Sequence, residues 1–365
     1  RRAVGGKQAA MGASVGAVAA TEYGAAVNGI SDLEWDKLQR IAASGMSPSA
    51  GGRSRTALLA LKGDPTWRAA TAPILQWAKA AWLDAEERKL HDLLSAADLK
   101  EAWKSGAADR EHLWAADGTR RWNRCRGPIS ALALSLERIS WHTDDGEVLI
   151  DDKGVRRRIQ DHSPGMWAKF LRESVQRHHE RALGEKIGAR DLQGSRCCLD
   201  VARRTYRSTK LSAEQKGLLA VAATNALWTK KRAARSGYVV EDVSCGLCGL
   251  EEDTLHHRLW RCTHAKVVEQ RKAHASETTI AAARKAGPSS ALYNRGIILH
   301  PCHDYPEACG ETAATLMKGG KVVQAADFRL EGNIYLDGTC DQHQILDLRR
   351  AAWAVVQVSD EGTVE

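Results

Sequence analysis

Residues 245–262 read CGLCGLEEDTLHHRLWRC, and the rest of the chain is best read outward from them. Cys245 and Cys248 form a C-x2-C pair, with Gly246 and Gly249 permitting the tight turn that lets two thiolates meet one ion. His256, His257 and then Cys262 complete a candidate Cys3His tetrahedral set. Thiolate and imidazole suit zinc, which binds such donors tightly and brings no redox chemistry of its own. Two other readings compete: three buried free thiols, or a redox C-x-x-C pair. Four ligand-type residues within eighteen positions weigh against the first. The absence of a flanking βαβ pattern weighs against the second. Periodicity leaves the imidazole open. If 254–262 is one helix, Leu255, Leu259 and Cys262 share a face, and His256 lies nearer that face than His257.

Around this stretch lie 365 residues, a length that suggests two or three domains and at least one real hydrophobic core. The first residue is Arg1 rather than Met, so the sequence is not expected to open at a biological start. No run approaches the ~20 apolar residues of a membrane helix, and no signal peptide is visible. A soluble, intracellular protein of the nucleus or cytoplasm, with no membrane partner, is expected. Nine Cys are too sparse for a disulfide scaffold and odd in number, which favours reduced thiols or metal ligands. The formal charge of +8 fits nucleic-acid partners, though many ordinary proteins carry as much. Trp outnumbers Phe by 12 to 2, and Trp35, Trp67, Trp77 and Trp82 fall in helical-looking segments, where core packing accounts for them.

Residues 1–30 are Gly- and Ala-rich with weak periodicity and read as a helix remnant. Ser31-x-x-Glu34 is a capping box opening a helix whose apolar face is Leu33, Leu38 and Ile41. Gly and Ser at 44–55 mark a loop. Pro65 starts a helical run to about residue 106 that carries Trp67, Leu75, Trp82 and Leu83, and Pro73 should kink or divide it. Residues 107–128 are polar and basic. A helix at about 129–141 follows, with Leu132, Leu136 and Ile139 on one face, then a strand at Val148-Leu149-Ile150. Helical patterns return at about 164–184 and 212–235, the second ending in Lys230, Lys231, Arg232 and Arg235 with Gly237 as its stop. Pro288, Pro301, Pro306 and several Gly make 286–325 read as a linker. Beyond it, Ile334-Tyr335-Leu336 and Trp353 to Val358 are strand-like, and the chain shows no internal repeat.

The stretch from Leu227 to Cys262 resembles the zinc-binding module that follows the polymerase in non-LTR (LINE-type) reverse transcriptases. In that module a C-x2-C is followed by an acidic residue, Thr, two residues, His, four residues and Cys. Asp253-Thr254-Leu255-His256-His257 to Cys262 fits that frame with His257 as the ligand. The resemblance therefore favours Cys245, Cys248, His257 and Cys262 over a set with His256. Leu227-Trp228-Thr229-Lys230 through Arg235 resembles the basic helix and turn before the module, although a merely solvated cationic face has the same composition.

Residues 331–365 contain EGNIYLDGTC and RRAAWAVVQVSDEG, which resemble the first strand, turn and second strand of a type 1 ribonuclease H. The resemblance makes Asp337 the Asp that holds catalytic Mg2+, with Gly338-Thr339 at the turn. Hard carboxylate oxygens at a strand end suit two-metal attack on a phosphodiester. The family needs further carboxylates, the sequence ends about 28 residues after Asp337, and Asp341, Asp347 and Asp360 stand at the wrong places. The site is incomplete and no nuclease activity is expected. Asp144-Asp145, in WHTDDG, lacks the apolar strand a polymerase hairpin requires and reads as a turn.

The expected architecture is mainly α-helical with a small Cys3His zinc module and a C-terminal fragment of an α/β ribonuclease H-like fold. Its divisions are a helical region at 1–110 resembling the segment after the polymerase palm, a helical connector at 111–215, the zinc module with its basic helix at 216–285, a linker at 286–330 and the ribonuclease H-like piece at 331–365. The expected function is a part of a retrotransposon reverse transcriptase/ribonuclease H polyprotein that binds RNA, DNA or their hybrid through Lys230, Lys231, Arg232, Arg235 and a structural Zn2+, with Mg2+ needed only by an intact ribonuclease H domain. The rivals are an RNA–DNA hybrid ribonuclease proper and a zinc-stapled helical protein–protein module.

Overall fold

Serine opens seven of the fourteen described α-helices, because its hydroxyl accepts one of the backbone N–H groups a helix start leaves unpaired. The computed structural model describes residues 24–48, 51–82, 95–114, 118–185, 191–192, 194–300, 317–318, 321–322, 333–340 and 351–358. Two compact units divide the chain, Arg1–His303 and Asp304–Glu365. After the short α1 (Ala25–Asn28), Ser31 and Glu34 form the expected capping box of α2 (Asp32–Ser44). The same box recurs at Ser95/Asp98 on α5 (Ala96–Ser105) and at Ser212/Gln215 on α10 (Ala213–Ala223).

The buried face of α2 differs from the expected one. Trp35, Leu38, Ala42 and Ala43 are buried, whereas Leu33 is 64% exposed and Ile41 is exposed too. Trp35 sets the face because the largest apolar side chain gains most from burial, and the 3.6-residue period then turns Leu33 and Ile41 outward. α3 (Arg55–Lys62) follows, then α4 (Trp67–Ala81), which contains buried Pro73 without being divided by it. The remainder of the expected run, at 83–94, lies outside the described residues, as does the Gly/Ala-rich start at 1–23. α6 (Ala107–Trp114) and a 3-10 turn (Gly118–Arg124) occupy the polar, basic stretch, so a helix spans the expected boundary at 110. α7 (Pro128–Arg138) packs on α4, and Leu132, Leu136 and Ile139 are buried as their spacing requires.

A small antiparallel sheet follows, β1 (His142–Thr143), β2 (Val148–Ile150) and β3 (Arg156–Arg158). Between β1 and β2 the Asp145 carboxylate accepts the N–H groups of Glu147 and Val148 at 3.0 and 2.9 Å, and Gly146 takes φ 78°. Asp-Asp-Gly is a turn. α8 (Pro164–Gly184) then crosses both halves of the interior. Its first half packs against α4 around fully buried Trp167. Its second half joins α3, β4 (Arg196–Cys198), α9 (Asp200–Arg207) and α10 in a second core with Leu61, Leu183, Leu199 and Ala223.

Two departures from the sequence reading bear on the site. The pattern over 212–235 is two helices, α10 and α11 (Lys230–Arg235), because Asn225 adopts φ 52° and ends the first. Asn is one of the few side chains that tolerates this left-handed backbone. The linker expected from 286 also begins too early. α12 (Ala265–His274) and α13 (Glu277–Ala286) lead into α14 (Ala291–Arg295) and β5 (Ile298–His300), and β5 pairs antiparallel with β4, Cys197 opposite Leu299. Ala291 and Ile297 are buried in the second core. Pro and Gly punctuated these residues correctly, but their apolar side chains decide where they pack.

In the second unit, β6 (Met317–Lys318) pairs with β7 (Lys321–Val322), and β8 (Asn333–Cys340) with β9 (Ala351–Val358), both antiparallel. Both strand-like stretches are strands. Asp337 stands opposite Ala354, and Gly338 and Thr339 continue β8 instead of forming the turn assigned to them. Asp341, Asp347, Asp360 and most of the segment read as linker lie outside the described residues. Among those described, no helix is long and apolar enough to cross a membrane.

Candidate metal centre

The loop before and through the C-x2-C pair folds back on itself by backbone hydrogen bonds. Cys245 N–H donates to Glu251 O at 2.8 Å, Asp253 N–H to Val243 O at 2.8 Å, and Gly249 N–H to Cys245 O at 2.8 Å. Gly249 takes φ 66°, the left-handed turn that glycine permits. Gly246 has no positive φ and open space where a Cβ would stand, so only the second glycine is demanded by the turn.

Thr254 Oγ1 then accepts the His257 N–H at 3.0 Å and starts a short helical turn. That turn is wide: Cys262 N–H donates to His257 O at 2.8 Å, five residues back. An α-helical pitch would place His256 nearer Cys262. The wider π pitch brings 257 into line with 262 instead, and this extra residue per turn selects the imidazole.

The outcome is a cluster of Cys245, Cys248, His257 and Cys262 whose ligand atoms all lie within 4.8 Å of one another. Cys245 Sγ is 4.0 Å from Cys262 Sγ, and Cys248 Sγ is 3.3 Å from His257 Nε2. A tetrahedron with Zn–S bonds of about 2.3 Å has edges of about 3.8 Å, so the spacing fits one four-coordinate ion. Cys245, His257 and Cys262 are buried. His257 Nδ1 faces Glu251 Oε2 at 3.1 Å, an arrangement that leaves Nε2 to bind metal and orients the ring. The Leu250 backbone N–H lowers the Cys248 thiol to about 6, outweighing desolvation. Burial raises Cys245, yet the N–H groups of Cys248 and Leu247 bring it below the ordinary thiol value. Burial leaves Cys262 raised.

His256 has another task. Its Nδ1 meets Asn294 Oδ1 at 3.3 Å on α14. Asn294 Nδ2 already donates to the carbonyls of Gly287 and Pro288, so the amide oxygen is the atom turned to the ring. His256 Nδ1 is therefore the donor, and its Nε2 is buried without a partner. Burial holds this imidazole below its usual value, hence neutral. It ties the module to α14 rather than ligating.

Other ties were not legible in the sequence. Arg271 on α12 donates to Leu259 O at 2.7 Å and Cys262 O at 3.0 Å, and Trp260 Nε1 donates to Tyr293 O at 3.1 Å. Asp253, 2% exposed, accepts the Lys230 N–H at 2.7 Å and the Arg258 guanidinium at 2.6 Å. Burial would raise Asp253, but Arg258 and the Lys230 N–H hold it below the ordinary carboxylate value. The loop carrying the ligands thus caps the N-terminus of the basic helix α11.

On α11 the four cations are placed unequally. Arg232 donates to Leu227 O at 3.0 Å and to Gly52 O at 2.7 Å, and lies 4.7 Å over the Trp228 ring. It is a structural tie. Lys231 pairs with Glu252, and Lys230 lies 3.7 Å from Asp242. Arg235 is exposed. Asp337, the remaining candidate site residue, lies in the second unit on β8. Comparison with family models, curated proteins and solved structures finds no match to this chain.

Proposed function

We propose that this chain is a nucleic-acid-binding part of a LINE-type retrotransposon polyprotein, in which a structural zinc ion at Cys245, Cys248, His257 and Cys262 fixes the basic helix α11 in place. One observation carries the reading: the loop that brings the four ligands together also supplies Asp253, which caps α11 through the Lys230 N–H. Metal binding and presentation of the cations are thereby one event. Four protein donors fill a tetrahedron and leave no open position for water, which is the signature of a structural site. Lys230, Lys231 and Arg235 are the phosphate contacts; Arg232 serves to hold α11 in place. The β8–β9 hairpin, with Asp337 on β8, supports the ribonuclease H part of the reading.

Zinc analysis combined with salt titration tests this. The wild-type protein should carry one zinc per chain, and Cys248→Ser should lose it. Replacing Lys230, Lys231 and Arg235 with Ala should leave the zinc in place and reduce the slope of log affinity against log salt by about 0.7–0.9 per lost phosphate contact. Equal slopes in the two proteins would remove the phosphate-binding role. One feature favours a second reading, a zinc-stapled protein-docking module: Tyr238, Val239, Leu247 and Leu250 are 63%, 98%, 57% and 75% exposed. On that reading RNA and DNA binding is absent at every salt concentration.

A further inference from the structure

A cleft of about 850 Å3 opens between α5, α6, the 3-10 turn, α7 and β1, far larger than the other hollow beside it at about 140 Å3. Trp103, Trp114 and Trp141 line it together with Arg110 and Arg121. Arg110 lies 3.8 Å over the Trp103 ring, and Arg121 lies 4.7 Å over that of Trp114. Trp103 and Trp141 are buried, but Trp114 is 45% exposed, the one exposed tryptophan among those whose burial is described. Six other tryptophans are half-buried and four are buried, so Trp114 is the wettest of those whose burial is described, and it stands on the wall of this cleft.

The charge around the cleft points to the occupant. Arg110 and Arg121 line the cleft, and the 3-10 turn that carries Arg121 also bears Arg120 and Arg124, with Arg126 two residues on. Arg120 and Arg126 are exposed. Glu137 on the wall is paired with Arg121, which leaves Asp144 as the acid at the rim. A cleft of this size takes a flat ring or two, and aromatic faces flanked by arginines are the means by which unstacked bases are held while their phosphates follow the cations. Duplex bases are stacked on one another and cannot enter.

We infer that this cleft is a second nucleic-acid site, which binds a single strand of RNA or DNA by stacking its bases on Trp114 with the phosphates on the arginines of α6 and the 3-10 turn. The inference rests on the proposed nucleic-acid role but on different residues from the metal module. Fluorescence anisotropy with the full chain tests it, using a labelled 15-nucleotide oligo(U) and a DNA duplex of equal length. Trp114→Ala should weaken oligo(U) binding by about five- to a hundred-fold, leave duplex binding and the salt slope unchanged, and retain the wild-type melting temperature. Trp114→Phe should recover most of the loss, since it restores a ring.

Oligo(U) binding by Trp114→Ala equal to wild type would overturn the inference, as would equal losses on oligo(U) and duplex. So would a labelled proline-rich peptide that binds wild type and not Trp114→Ala while oligo(U) binding is unaffected, which would make this a protein-docking cleft. If the α11 triple variant loses salt slope while Trp114→Ala changes nothing, only the cleft site falls. If wild type binds neither probe, the nucleic-acid reading falls with it.

Discussion

Between Asp32 and Gly184 the buried side chains are chiefly apolar, with Leu58, Leu59, Ile74, Leu132, Leu149 and Trp167 fully covered. Between Cys245 and Cys262 the buried side chains are Cys245, Asp253, His256, His257 and Cys262, while Leu247 and Leu250 stay 57% and 75% exposed. The first region is closed by removing apolar area from water, at roughly 25 cal/mol per Å2. The second has little such area to remove and is closed by donor atoms that converge on one point. Even the polar interior differs. In the helical body, buried Asp152 is held by Arg177 at 2.6 Å, Arg181 at 2.8 Å and Ser174 at 2.7 Å, so that despite its burial the carboxyl is well below the usual range. In the metal module buried Asp253 is likewise paired with Arg258, but the three thiols and His257 Nε2 converge on one another. The helical body is closed by apolar burial, whereas three thiols and an imidazole placed together could hold a metal ion.

The strongest way to break this comparison is to strip metal from the proposed site. A structural zinc at the proposed site would contribute about 10–16 kcal/mol of apparent binding free energy at pH 7, so a chelator or Cys245→Ser should abolish protection of the backbone amides of Cys245, Gly249, Asp253 and Cys262. Amide exchange in α4, α7 and the first half of α8 should be unaffected. Loss of protection throughout the helical body would show that the two regions are not energetically separable. The same experiment separates the two imidazoles: His257→Ala should release the metal, and His256→Ala should keep it.

The converse change comes next in size. Trp167 is fully buried and donates through Nε1 to Ile159 O at 3.1 Å. Trp167→Ala should cost about 3–5 kcal/mol in denaturant unfolding of the helical body, with zinc content unchanged. A third test uses protons. Burial, with His179, Arg181 and Arg138 nearby, lowers His178 from 6.5 to about 4. The unfolded imidazole takes its proton at the higher pH, so acid favours unfolding between the two values. Stability should be full above pH 6.5 and should fall by on the order of 3 kcal/mol as pH drops through about 4. His178→Gln should flatten that slope in urea titrations at pH 7 and 5, and an unchanged slope would remove His178 as its source.

Local features were legible where one short stretch decides the outcome. The Ser31/Glu34 box, the Asp-Asp-Gly turn and the Leu132–Leu136–Ile139 face each depend on residues within one or two turns, and all three stand as read. The ligand-type residues of the cluster were equally plain, but which of the two histidines joins them was not. What failed needed a distant partner. Leu33 and Ile41 looked as good a face as Trp35 until α2 was packed, and 286–300 looked like linker until β5 met β4. Arg232 looked like its neighbours Lys230 and Lys231 until Gly52 and Leu227 took its guanidinium.

By itself, then, the sequence determined the helical character of the chain, the helix starts and the residue types of the metal cluster, because capping, turn chemistry and ligand identity act over a few residues. Only the tertiary structure decided between His256 and His257, through a π pitch and the Asn294 contact, neither of which leaves a periodic trace. It alone also placed Trp103, Trp114 and Trp141 around one cleft. Positions far apart in sequence share a surface only once helices have packed, and packing is set by the sum of many burials that no short motif records.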